Sequence, residues 1–178
     1  MGAKAMMSAR RPASAVVVMV ILLFTVSLAG AQSDPVAFQR ALRVPIVDGT
    51  SLAGIPLGVP ETAAMGILGT PVAIRNSTIA ERALHYEFAD TVSLDVHVGA
   101  GVVKAISVSI AEGEATGLLP PTSRGVQIGM PTSVVAERYG ASANAGFWYT
   151  AEGVGFNFDN PADEVRSVVV FARGIPAP

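Results

Sequence analysis

The chain has two histidines, His85 and His97, and both stand close to carboxylates in the runs Leu84-His85-Tyr86-Glu87-Phe88 and Val92-Ser93-Leu94-Asp95-Val96-His97-Val98. Imidazole and carboxylate at this spacing have two chemical uses. His85, Glu87, Asp95 and His97 could ligate a metal ion, or an imidazole could take a proton while a carboxylate orients it. Either use needs the side chains on one face, and the strict alternation of polar with apolar residues provides that on a strand. If the hairpin between the runs turns around Asp90, His85 lies opposite Asp95. Ser93 completes a Ser/His/Asp set by residue type, but the flanks hold neither a nucleophile elbow nor an oxyanion hole. No glycine run has the form of a phosphate loop. The pattern implies no pocket, and the second repeat described below has no histidine at this place. The four residues are therefore read as the polar outer face of a half-buried sheet, with no enzyme activity, metal or other cofactor assigned.

The elements that would hold these residues are legible around them. Leu84, Tyr86 and Phe88 make the apolar side of one strand, and Val92, Leu94, Val96 and Val98 that of the next. After a turn at Gly99-Ala100-Gly101, Ile106, Val108 and Ile110 fall on the side of Leu94, while Ala105, Ser107 and Ser109 point away. Such an apolar face needs a cover. Thr62 to Leu68 supplies it as a short helix, entered through Pro60, whose missing N–H costs nothing there, and closed by Gly69 with Pro71 beyond. Ser77 to Arg82 reads as a second short helix.

The unit occurs twice. Gly54-Ile55-Pro56-Leu57-Gly58-Val59-Pro60 returns as Gly125-Val126-Gln127-Ile128-Gly129-Met130-Pro131, and Gly69 maps onto Gly140 behind a helix at Thr132 to Tyr139. Val92 to Val96 aligns with Val154 to Phe158, and Val103 to Val108 with Val165 to Val170. The second repeat is shorter only between helix and sheet. Gly58, Gly69, Gly129 and Gly140 are read as structural, at turns that call for a positive φ. The expected fold is α+β: two tandem modules, 46–112 and 123–174, each with one or two short helices on a three-stranded antiparallel sheet. Residues 113–122 form the linker and 32–45 an N-terminal extension.

Lys4, Arg10 and Arg11 precede an apolar run from Ala13 to Leu28, and Ala29-Gly30-Ala31 offers small residues where a signal peptidase reads. Residues 1–31 are thus a signal peptide, with the mature chain starting at Gln32; the alternative is an inner-membrane anchor over residues 13–31. Either reading exports the remainder to the periplasm or beyond. Without Lys4, Arg10 and Arg11 nine basic residues face fourteen acidic ones, a net charge of about −5, which argues against nucleic acid as a partner. The chain has no cysteine, which excludes disulfides, a thiol nucleophile and attachment of lipid at a lipobox cysteine.

The pattern Ile55-x-Leu57-Gly58-x-Pro60 through Gly69, followed by an aromatic hairpin and a final strand, resembles the modules of BamE (SmpA/OmlA-type) proteins and of β-lactamase inhibitor proteins. The tandem arrangement favours the inhibitor-like version. The resemblance spans Ile46 to Arg173 and rests on structural glycines and apolar positions. It implies an exported interaction module for a protein partner, inhibitor-like or envelope-associated, with envelope assembly or stress response as a further possibility and a metal-dependent enzyme using His85 and His97 as the third. A hairpin turning at Glu152-Gly153 would send Phe147, Tyr149, Phe156 and Phe158 toward the helices. Trp148, Val169 and Phe171 would then lie on the opposite side, where the first repeat is polar. These three are the expected partner-binding residues, unless a junction between the two sheets covers them.

Overall fold

The computed structural model describes residues 34–88, 91–111, 119–140, 146–158 and 164–174. The segment read as a signal peptide and most of the stretch read as a linker lie outside them. The fold combines three helices with a large antiparallel sheet.

The chain enters through α1 (Pro35–Leu42), within the stretch read as an extension. Asp34 caps it, its carboxylate accepting from the Val36 and Ala37 N–H groups at 3.0 and 3.3 Å, and proline opens its first turn. Its fully buried Phe38 stacks between Tyr86 and Phe88, at centroid distances of 6.4 and 6.1 Å. A two-stranded hairpin follows, β1 (Ser51–Leu52) and β2 (Ile55–Pro56), turning through Ala53 and Gly54 with positive φ at both. Then come α2 (Glu61–Leu68), β3 (Ala73–Asn76), β4 (Arg82–Phe88), β5 (Val92–Gly99), β6 (Val102–Ile110), α3 (Thr132–Tyr139), β7 (Phe147–Tyr149), β8 (Val154–Asn157) and β9 (Ser167–Phe171).

Two expectations for the first repeat are corrected. Ser77 to Arg82 forms no second helix, and the first half contributes four strands rather than three, because Ala73–Asn76 pairs with β4 as an edge strand. The Ser77 hydroxyl accepts from the Ile79 and Ala80 N–H groups at 3.1 and 3.0 Å, as a helix cap does. The Glu81 N–H already bonds the Val98 carbonyl at 3.1 Å, so sheet pairing takes the chain before a helical turn can propagate.

The two repeats make the same backbone contacts. The Gly58 N–H donates to the Val103 carbonyl and the Gly129 N–H to the Val165 carbonyl, both at 2.8 Å, with φ of 79° and 87° at these glycines. Pro60 and Pro131 stand at the N-caps of α2 and α3, and Gly69 and Gly140 close the helices at φ 84° and 96°. The sheets are continuous, with seven strands in the order β3-β4-β5-β6-β9-β8-β7. Across the central pair Ser107 faces Val169, its own counterpart in the repeat, while Ile106 faces Val170 and Val108 faces Val168. The halves therefore meet through equivalent strands about a local twofold relation. Phe38, Leu68 and Val135 from the three helices share one core with Tyr86, Leu94, Ile106, Phe156 and Val168 from the sheet.

Candidate functional site

The opposite, outer face of the sheet is ordered in rows that cross its strands. One runs Glu87, Ser93, Ser109, Ser167, Asn157, Phe147; the next runs His85, Asp95, Ser107, Val169 and Gly155. A third holds Ala83, His97, Ala105 and Phe171. The face is thus polar across β4, β5 and β6 and largely apolar toward β9 and β7.

His85 lies opposite Asp95, as the hairpin geometry required, yet it is only 2% exposed. Its Nδ1 sits 2.7 Å from Asp95 Oδ1 and its Nε2 2.6 Å from Glu87 Oε1. Arg75 approaches the same Glu87 oxygen at 3.4 Å. The hydrogen bond from His85, the charge of that ring and Arg75 together hold the Glu87 carboxyl below the ordinary carboxylate range. His97 is 8% exposed and has separate neighbours: Ser77 Oγ lies 2.8 Å from Nδ1 and Ser107 Oγ 3.1 Å from Nε2. Because the Ser77 oxygen already accepts two backbone N–H groups, its proton goes to Nδ1, and the ring is the neutral Nε2–H tautomer donating to Ser107. Burial lowers the His97 pKa, with Asp95 pulling weakly the other way.

The four polar residues picked from the sequence are thus brought onto one face, but as two hydrogen-bonded sets. No group of three or more His, Asp or Glu side chains among the described residues is disposed to hold a metal ion. Every ring nitrogen is engaged, and Ser93 bonds Ser109 at 2.7 Å rather than a histidine. The expectation of a wet face is corrected for both histidines. Both rings are buried with their nitrogens hydrogen-bonded, which tolerates a polar group away from water. A polar recess of about 440 Å³ opens beside them, lined in part by Arg75, His85, Glu87, Ser93 and Ser109.

The partner-binding set divides. Val169 and Phe171 stand on the outer face, half-buried and buried respectively, on the side away from Val168 and Val170. Trp148 does not. It pairs with Phe156 rather than Asn157, is 5% exposed and belongs to the core, while Phe147 points outward at 47% exposure. The turn explains the slip of one residue. Thr150 N–H bonds the Val154 carbonyl at 3.0 Å, leaving three loop residues that end in Gly153 at φ 81°, where a two-residue turn was expected. The first hairpin closes from Phe88 to Val92 over the same number of residues, so Trp148 occupies the place of Tyr86.

Neither a family model nor a curated protein matches the sequence. Among solved structures the chain is similar to an extracellular protein containing an SCP domain from Bacillus anthracis str. Ames, at 12% identity and a TM-score of 0.45. The match covers 65% of this chain and 44% of that one. No helix among the described residues is long and apolar enough to cross a membrane.

The buried, neutral His97 makes stability depend on pH. Its pKa in the fold lies below the ordinary 6.5, so the unfolded chain binds the extra proton as pH falls below about 6.5. The contribution is complete above that value and is lost on acidification. His97→Gln removes the titration, so the gap in Tm between wild type and variant should narrow from pH 7.5 to pH 5.5. Melting curves that stay parallel across that range would contradict a neutral His97.

Proposed function

We propose that this chain is an exported, non-enzymatic interaction protein built from two modules of the BamE and β-lactamase-inhibitor type, which binds a protein partner on the outer face of its sheet. The exported state rests on the Arg-flanked apolar segment ahead of Ala29-Gly30-Ala31. The tandem modules are supported by the matched hydrogen bonds of Gly58 and Gly129 and by the self-pairing of Ser107 with Val169. The observation that carries the binding role is the composition of the outer face. Phe147, Val169 and Phe171 stand where the other half has His85, Ser107 and Ser109, so apolar residues, Phe147 exposed among them, replace a self-satisfied polar set at matched positions. Interfaces are built this way, with apolar anchors beside a polar rim.

The test is capture of proteins from envelope extract on immobilised mature chain, run beside Phe147→Glu. This change puts a charge on the exposed side of an edge strand, so Tm should hold while specific capture is lost. Identical capture by both proteins would overturn the assignment of this face. A secreted enzyme inhibited by the captured complex points to the inhibitor-like role, and an outer-membrane assembly protein to the envelope role.

A further inference from the structure

The two repeats are offset by 71 residues at Gly58 and Gly129 but by 62 at Val103 and Val165, so the first carries nine residues more between helix and sheet. That excess contains β3 and the loop from Ser77 to Glu81, and each borders a recess. Arg75 borders the polar one already described. Ile79, Ala80 and Glu81 border a second, of about 590 Å³, together with Leu57, Val103, Ala105 and Phe171. Its volume lies within the range of small-molecule pockets, and aliphatic and aromatic carbon makes most of its wall.

Two charged residues stand at this recess, Glu81 and Lys104, and they are not equivalent. The Glu81 carboxylate accepts from the Ala100 N–H at 3.0 Å, so it is already turned to the Gly99–Gly101 turn. Lys104 makes no hydrogen bond or ion pair among the described residues. Its stem lies along Gly99, with Cγ and Cε 3.4 and 3.6 Å from where a Cβ on that glycine would stand, an ordinary packing contact that places the lysine beside the Gly99–Gly101 turn at the recess. The site thus offers an apolar recess bordered by a carboxylate already turned to the Ala100 N–H and by a lysine with no hydrogen bond or ion pair among the described residues.

We propose that this recess binds a single-chain fatty-acid anion, its hydrocarbon against Leu57, Ile79, Val103 and Phe171 and its carboxylate on the Lys104 ammonium. A cation there is the complement of an anionic head, and a lysine that reaches a carboxylate at the rim keeps the charge in water while the chain leaves it. A neutral or cationic amphiphile gains the apolar contact without the ion pair. The proposal does not need a protein partner: it shares Phe171 with the apolar set of the outer face but takes its other contacts from Leu57, Ile79 and Lys104, so Phe147→Glu should leave it unchanged.

The experiment is calorimetric titration of the mature chain with octanoate, decanoate and dodecanoate, each kept monomeric. Saturable binding to one site is expected, tightening about fourfold per added methylene while the chain still fits. Decanol and decyltrimethylammonium should bind at least tenfold more weakly than decanoate. Lys104→Gln should weaken decanoate at least tenfold and leave decanol unchanged, and Ala80→Trp, which fills the recess from a loop, should abolish binding of both. Absence of saturation with all three acids overturns the proposal, as does decanoate binding that neither variant alters. Flotation with anionic vesicles in the absence of monomer binding would assign the lysine to a membrane surface instead and likewise overturn it.

Discussion

Trp148→Ala should cost about 3–5 kcal/mol of folding stability, the range for removing a large aromatic from a packed core. The indole is 5% exposed, stands opposite Phe156 and shares the core with Phe38, Leu94 and Val168. Its position is that of Tyr86 in the first half, which is fully buried. Urea unfolding gives the loss directly, and as the only tryptophan of the chain Trp148 also reports its own surroundings. Its fluorescence should be quenched weakly by acrylamide in the native protein and strongly after unfolding. A partner-facing tryptophan behaves in the opposite way, with truncation costing under about 1 kcal/mol and quenching unhindered, and that result would return the strand to the register in which Trp148 points outward.

The slip at Trp148 shows what kind of inference the sequence supports. Alternation along β4, β5, β6 and β9 assigned faces correctly, because strand periodicity is local and a buried face enforces it. His85 came out opposite Asp95 because the first hairpin closes from Phe88 to Val92, the register that a turn around Asp90 requires. Trp148 was lost because parity across a hairpin depends on loop length, and Thr150-Ala151-Glu152-Gly153-Val154 is compatible with a two-residue or a three-residue loop. The repeat held the answer. The register that aligns Val92 with Val154 and Val103 with Val165, carried back without a gap, sets Tyr86 on Trp148 and His85 on Phe147.

Other features needed long-range pairing to become visible. The edge strand Ala73–Asn76 has no apolar alternation that survives on both sides, and Ile74 is 64% exposed, so nothing local separates it from a loop. The burial of His85 and His97 goes with hydroxyls and carboxylates brought beside them, Asp95 from β5 and Glu87 from the same strand for one, Ser77 from the loop before β4 and Ser107 from β6 for the other. Composition records those groups but not their meeting. In contrast α1, which the reading of 32–45 as an extension missed, carries local signals: Asp34-Pro35 is a cap and a first-turn proline, and Phe38, Ala41 and Leu42 fall at helical spacing. The recess at Lys104 lies between these cases. Ile79 and Ala80 belong to a stretch whose helical pattern competes with the sheet, and only the outcome of that competition opens a cavity beside Phe171.

The continuity of the two halves is tested most severely at Gly153. Its carbonyl accepts both the Phe171 N–H at 2.9 Å and the Gly49 N–H at 3.1 Å, so one peptide ties the β7–β8 turn to β9 and to the segment ahead of β1. Its φ is 81°, and a Cβ there would run into the Phe171 carbonyl oxygen and stand 2.7 Å from the Gly49 Cα. Both obstacles are backbone, so relief requires moving a strand or the entering chain rather than a side chain. Gly58 is the control, since its φ is 79° but a Cβ would meet nothing within 4 Å. Gly58→Ala should therefore cost about 1 kcal/mol, the conformational penalty alone. Gly153→Ala carries the same penalty and the collision, and should cost about 3 kcal/mol or more, or leave too little folded protein to melt. Equal losses for the two substitutions would mean that the turn and Gly49 are not in contact, and that the halves are held by β6 with β9 and by the bonds of Asp48 to Ser123, Tyr139 and Arg173 without this tie.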